Sequence, residues 1–349
     1  MKKKGSIALL AAALLSLVAV SAGSAQKASK TDVSIAGAGS TLVAPLVDAW
    51  IPALGTAFGD DVTYAAVGSG TGIADISAGT VDFGASDAPM NATQAAGCSG
   101  CIEIPWALSA TTLSYNIPGL TKQLHLDANT IAGIFLGTLT NWDDPTIAAL
   151  NPGVTLPNLA ITPVHRSDGS GDTYAFTNYL SDVSPTFASQ VGSATTVTWP
   201  GGIGSSGNAG VAGTIASTQG AIGYISAAYL IPNHLKCAAI KNAAGGFATP
   251  GLKDIQADAA AFPNPTSTTN GVEMHIVDPP ASAGKNAYPI STYTYIIVPK
   301  TSSKGQQIRQ MIFWALTQGN KKYGPKLIFA PKFPTKVLVA AEKAIKLIQ

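Results

Sequence analysis

Histidine and cysteine are scarce in this chain of 349 residues, with four of the first and three of the second. The histidines, His125, His165, His234 and His275, are scattered without ligand spacing, so a zinc centre lacks its donors. No GxSxG, HExxH or Cys–His pair stands in a recognisable setting, and the common hydrolase signatures are therefore missing. Neither GxxxxGK(S/T) nor GxGxxG occurs in the right context, which removes the nucleotide-binding fingerprints. Beyond the N-terminus no Lys/Arg run or stripe marks a nucleic-acid surface. No internal repeat is evident.

The three cysteines are Cys98 and Cys101, in GCSGC, and Cys237. A CxxC pair can serve as a zinc half-site, a redox pair or a small structural disulfide. An oxidising compartment favours a disulfide between Cys98 and Cys101. A thioredoxin-like role is disfavoured, because CSGC follows a Gln-Ala-Ala-Gly loop. Cys237 is left over and is expected to be buried as a small hydrophobe.

The compartment is suggested by the opening residues, MKKKGSIALLAAALLSLVAVSAGSAQ. Lys2 to Lys4 form a basic region, Ile7 to Val20 an apolar one, and Ala22 to Ala25 supply small residues for cleavage. Residues 1–25 therefore read as a secretory signal, too short and too weakly flanked for a good membrane span. No cysteine sits at the cleavage region to carry a lipid, so a periplasmic or secreted protein is expected. Losing three of the 21 basic residues leaves 18 against 19 acidic ones, a balance of −1. Any anion must then be held by local geometry and not by the net field. About 324 residues remain, enough for two domains of roughly 100–200 residues each.

Short apolar runs alternate with amphipathic segments. VSIAGAG (33–39) reads as a strand and 40–58 as a helix capped by Ser40 or Thr41. VTYAAV (62–67) and VDFGASDAPM (81–90) read as strands, with a helical segment between them. Residues 106–119 are extended, 130–153 hold two short helical runs, and AITPVHRSDGSGD is strand then loop. TYAFTNYLSDV (173–183) is helical, 207–226 is helix, turn, strand, and 287–299 is a strong strand with Thr and Tyr interleaved. Two helical stretches close the chain. This alternation predicts an α/β fold with largely parallel sheets. In NWDDP, Asp143 and Asp144 precede Pro145, which signals a helix start and favours capping.

Three times a strand ends in a small-residue turn that opens a helix: GAGSTL (37–42), GSGTG (68–72) and DGSGDT (168–173). Such turns aim backbone N–H groups at one spot, with the positive end of a helix behind them. Glycine-rich turns are common in α/β folds, and one alone says little. Three of them, one carrying Arg166, suit a small tetrahedral oxyanion.

The blocks GAGSTLVAPLVDAW, VGSGTGIADISAGTVDFGASDAPM, LGTLTNWDDPTIAALNPG, HRSDGSGDTYAFTNYLS and GNAGVAGTIASTQGAIGYIS resemble, in order, the signature blocks of the PstS family. These are the phosphate-binding proteins of bacterial ABC transporters. The similarity runs from about residue 33 to the C-terminal helices and is weakest at 231–285. The resemblance implies a periplasmic binding protein-like fold, two α/β lobes joined by two crossing strands with the anion in the cleft between them. It places one lobe at 26–107 plus 286–349 and the other at 108–285. Carried over by motif, Thr41 and Leu42 offer backbone N–H and a hydroxyl, and Ser69 donates hydroxyl and amide. Asp87 is the acidic site residue, while Arg166, Ser170 and Gly171 contact the anion from the second lobe. The chain departs at Leu42, where many members have an aromatic. It departs again at Asp172, where many have threonine and some aspartate.

An ionised carboxylate only accepts hydrogen bonds. It opposes a fully ionised anion but gains a strong bond from one that keeps a proton. Phosphate keeps a proton at neutral pH and sulfate keeps none, so Asp87, and Asp172 if it faces the ligand, penalise sulfate. Each acidic residue also has a plainer role to play. Asp87 suits a turn cap after its strand, Asp168 an Asx turn, Asp172 a helix N-cap, and Arg166 a surface pair with Asp168. The expected function is capture of inorganic phosphate for a membrane permease, as a monomer with no cofactor, metal or nucleic acid. The alternatives are a binder of another oxyanion, or a secreted phosphatase using Ser170 and His165.

Overall fold

The computed structural model describes residues 33–349; the expected signal at 1–25 lies outside them. One mixed sheet organises the chain. Its strands lie in the order Asp61–Ala66, Ser34–Gly39, Phe83–Ser86, Ser291–Pro299, Cys101–Tyr115, Ala221–Ser226, Thr162–Arg166, Ile203–Ser205. At either end the pairing is parallel: Ser34–Gly39 lies between two parallel neighbours, as does Thr162–Arg166. The two central strands, hereafter the crossing strands, run antiparallel to each other and to their outer neighbours. The expectation of largely parallel sheets thus holds at the ends and fails in the middle. A strand that returns from one lobe to the other must run against the strand that left.

The first crossing strand, Cys101–Tyr115, is buried along its whole length and changes partner part-way. Up to Ala110 it pairs with the second crossing strand, and from Thr111 onward with Ala221–Ser226. Two apolar cores flank this switch. One gathers Trp50, Phe83, Trp106, Ile308, Trp314 and Ile345 beneath the helices Ala44–Phe58, Gly305–Trp314 and Thr335–Ile345. There Trp50 meets Trp106 edge-on at 5.3 Å and Trp314 at 6.3 Å, contacts worth about 0.5–1.5 kcal/mol each beyond burial. The other core gathers Phe135, Phe176, Tyr179, Phe187 and Tyr224. The second crossing strand feeds both, sending Tyr293 and Tyr295 to one core and Ile296 and Val298 to the other.

Local expectations hold with shifted ends. The first helix starts at Ala44 and not at Ser40, because residues 41–43 form a turn against the Ser40 side chain. Asp144 caps the helix Pro145–Leu150, accepting from the Thr146 amide at 2.8 Å. Cys98 and Cys101 are disulfide-bonded. Cys237 is only half-buried, because it lies on the two-residue strand Lys236–Cys237 beside the end of the first crossing strand. Among the described residues no helix is long and apolar enough to cross a membrane.

The helix Ser69–Ser77 lies unusually close to the sheet. A Cβ on Gly72 would meet Gly39 Cα at 2.4 Å and the Ala38 carbonyl oxygen at 2.8 Å, both rigid backbone. Gly72→Ala should destabilise the protein by about 1–3 kcal/mol through this overpacking. Gly213→Ala, in open space on the helix Gly207–Ser217, should stabilise it by up to about 1 kcal/mol through helix propensity. Urea unfolding midpoints measure both, and equal midpoints for the two variants would contradict the close approach.

Candidate functional site

The parallel strands deliver their C-terminal ends to one place, where ligands of open α/β sheets bind. Ser34–Gly39 leads into Ser40 and Thr41, Phe83–Ser86 into Asp87, and Thr162–Arg166 ends on the arginine itself. The helices Ser69–Ser77, Gly171–Val183 and Gly207–Ser217 begin at the same place. Their positive ends suit negative charge. Thr41, Leu42, Ser69, Asp87, Arg166, Ser170, Gly171 and Asp172, all nominated by motif, are all buried there.

Asp87 sits in a ring of hydroxyls. Ser40 Oγ lies 2.6 and 2.7 Å from its two oxygens, Thr294 Oγ1 donates to Oδ1 at 2.8 Å, and Ser69 Oγ lies 3.4 Å from Oδ2. A second hydroxyl of the second crossing strand, Thr292, donates to its backbone carbonyl at 3.2 Å. Asp172 is held differently. Thr111, at the partner switch of the first crossing strand, donates to Oδ1 at 2.7 Å. Asn208 Nδ2 donates to Oδ2 at 2.6 Å, and Arg166 Nη1 approaches the same oxygen at 3.4 Å.

Arg166 is fixed from behind. Its guanidinium donates to both oxygens of Asp168, with Nε–Oδ1 at 2.7 Å. Asp168 also accepts from the Gly207 amide at 3.0 Å. Two expectations are corrected here. The carboxylate of Asp168 orients the arginine and ties it to the next helix instead of closing an Asx turn. Nor is the Arg166–Asp168 pair a surface one, since the Arg166 side chain is 1% exposed. Capping of the helix Gly171–Val183 falls to Ser170, whose Oγ accepts from the Thr173 amide at 3.2 Å. Asp172 is therefore not the N-cap.

Contacts cross directly between the two sets of turns. The Gly171 amide donates to Ser69 Oγ at 3.1 Å, and the Gly70 amide to the Gly169 carbonyl at 3.0 Å. Gly171 has no room for a side chain, because its Cβ would lie 2.4 Å from that of Asp87. Leu42 packs into the first core, so its side chain serves as an anchor and its amide turns to Ser40 Oγ at 3.0 Å.

Comparison with known proteins places this geometry. A model of the PBP superfamily domain matches residues 24–315. The phosphate-binding protein PstS of Xylella fastidiosa (strain Temecula1) is 37% identical over 294 residues, covering 83% of this chain and 79% of its own. That of Pasteurella multocida (strain Pm70) is 37% identical over 291 residues, covering 82% and 83%. The chain belongs to the PstS family. Solved structures share the fold at lower identity. A phosphate-binding protein from Stenotrophomonas maltophilia aligns with a TM-score of 0.64 at 20% identity, covering 90% of this chain and 93% of its own. A high-affinity periplasmic phosphate-binding protein bound with phosphate aligns with a TM-score of 0.67 at 20% identity, covering 88% and 92%.

Within this PstS fold, motif reasoning missed Ser40, Thr111, Asn208 and Thr294. Thr294 had a signal in the Thr–Tyr alternation of 291–299. The tyrosines fill the second core, which leaves the threonines facing the other way. Asn208 stood in the block GNAGVAG but outside its glycine pattern.

Three aspartates share one arginine here, and desolvation and that arginine pull their charge in opposite directions. Burial, then the charge of Asp172, raises Asp87 to about 7 despite the Ser40 and Thr294 hydroxyls. Burial also raises Asp172, against the opposing pull of Arg166, Thr111 and Asn208. Asp168 is half-buried, which pushes it up, but Arg166 wins and holds it below the usual carboxylate value. A folded-state value near 7 against an unfolded value near 3.8 means the native protein binds the extra proton between those limits. The stability supplied by protonated Asp87 is therefore full below about pH 4 and lost as pH rises through about 7, at up to about 1.4 kcal/mol per pH unit. Ligand-free Asp87→Asn should lose less stability than the parent between pH 5 and 8 in urea unfolding. Parallel losses would show that Asp87 does not titrate in this way. Glu103, raised to about 8 by burial, contributes equally to both proteins.

Proposed function

We propose that this chain captures inorganic phosphate, as H2PO4− or HPO4 2−, outside the cytoplasm and delivers it to the membrane permease of an ABC transporter. The observation that carries this reading is the pair of buried carboxylates, Asp87 and Asp172, set among fixed donors with one arginine beside Asp172. Membership in the PstS family supports the same ligand. Thr41, Ser69, Arg166 and Ser170 supply hydroxyls and positive charge, and the amides of Leu42 and Gly171, which donate to Ser40 and Ser69 in this structure, turn to the anion when it enters. Asp87 and Asp172 accept the protons that phosphate retains. Sulfate has none to give, and each carboxylate turned on it costs binding energy.

The lobes are taken as 26–107 plus 286–349 and 108–285, closing on the anion by bending at the crossing strands. Residues 1–25 act as the export signal, and the Cys98–Cys101 disulfide suits an oxidising compartment such as the periplasm. The protein works as a monomer without cofactor. It is not a phosphatase. Ser170 spends its oxygen on the helix cap, and His165 Nδ1 faces the Arg166 carbonyl at 3.1 Å, so the two make no nucleophile–base pair.

Calorimetric titration with phosphate, arsenate and sulfate at two pH values tests the reading. Phosphate and arsenate should bind and sulfate should bind far more weakly; sulfate binding as tight as phosphate would refute it. Asp87→Asn should reduce discrimination against sulfate more than it reduces phosphate binding. Arg166→Ala should weaken all oxyanions alike, and a selective loss would contradict its role as plain positive charge.

A further inference from the structure

Asn208 is fully buried at the start of the helix Gly207–Ser217 and belongs to none of the three glycine-rich turns. Its side-chain oxygen accepts from the Ser226 amide at 2.7 Å. That bond fixes which way the amide faces, because the reversed orientation would set an oxygen against the Asp172 carboxylate. Its nitrogen then donates both protons, one to Asp172 Oδ2 at 2.6 Å and one to Thr41 Oγ1 at 2.8 Å. The backbone N–H of Asn208 donates to the same threonine oxygen at 3.3 Å.

We propose that Asn208 is a positioning residue that sets the hydrogen-bond polarity of the cleft on both sides at once. This rests on the reading of the site as a phosphate site. Thr41 Oγ1 receives two donors from Asn208, so its own proton must point elsewhere and Thr41 acts as a donor. On the other side, Asn208 and Arg166 occupy Asp172 Oδ2, and Thr111 takes one position on Oδ1. The carboxylate is thereby held in one rotamer as an acceptor. The Asn208 amide thus bridges a donor from the first lobe and an acceptor from the second. A phosphate that offers both bare oxygens and a hydroxyl needs both polarities; sulfate can use only the donor. Because Thr41 and Asp172 sit on opposite sides, the bridge forms only when the two sides meet.

A double-mutant cycle tests this. Phosphate and sulfate affinities are measured by calorimetry for the parent, Asn208→Ala, Asp172→Asn and the double variant. Asn208→Ala should weaken phosphate binding about 10- to 100-fold and lower the phosphate-to-sulfate ratio. In the Asp172→Asn background it should cost clearly less, about 3- to 10-fold, because only the Thr41 arm is left to lose. Thr41→Val reads the other arm of the bridge and should likewise lose most of its effect when combined with Asn208→Ala. Equal losses in both backgrounds, with an unchanged phosphate-to-sulfate ratio, would reduce Asn208 to a support for the Ser226 turn and overturn the proposal. A parent protein that binds no phosphate would sink the functional reading itself; a binding parent with additive losses would sink only the role of Asn208.

Discussion

Two carboxylates buried on opposite sides of one cleft are the constraint on which this structure depends. Each is tied by a threonine to a different crossing strand, Asp87 to Thr294 and Asp172 to Thr111. The strands that join the lobes are therefore also the strands that hold the acidic groups. Leaving such groups charged and unpaired in an apolar interior would cost several kcal/mol each. The protein limits this at Asp87 with three hydroxyls, those of Ser40, Ser69 and Thr294. Asp172 instead receives a fixed amide and a guanidinium.

That difference in partners suggests a division of labour. Ser40 accepts the Leu42 and Val43 amides and Ser69 those of Asp87 and Gly171, so both turn their protons on Asp87, and Thr294 adds a third donor. Asn208 and Arg166 can only donate through their nitrogens, which favours the ionised form of Asp172 against its burial. Asp168 completes the set from outside, taking two hydrogen bonds from Arg166 so that Nη1 is left toward Asp172.

Much of this was legible along the chain because it is local. A strand ending in small residues before a helix is a short-range pattern, and each of the three instances did bring its turn to the site. Arg166, Ser170, Gly171 and Asp172 lie within one such pattern. What could not be read were partners distant in sequence. Thr294 lies 207 residues from Asp87, Thr111 lies 61 from Asp172, and Asn208 lies 36 from it. Only Thr294 had a local mark, the Thr–Tyr alternation of its strand; a threonine on a strand such as Thr111 and an asparagine on a helix such as Asn208 are ordinary. The direction of strand pairing was hidden for a related reason. Alternation of strands and helices predicts parallel neighbours, but the crossing strands pair by the route the chain takes between lobes.

The most direct measurement of the central claim is the proton count of phosphate binding, from calorimetry in buffers of different ionisation enthalpy at pH 8.5. Free phosphate there carries one proton. If both carboxylates face the ligand, binding should take up a further proton, approaching about one per molecule, and Asp172→Asn should abolish most of that uptake. Binding without proton uptake in the parent protein would mean that only one carboxylate meets the anion, and would contradict the account.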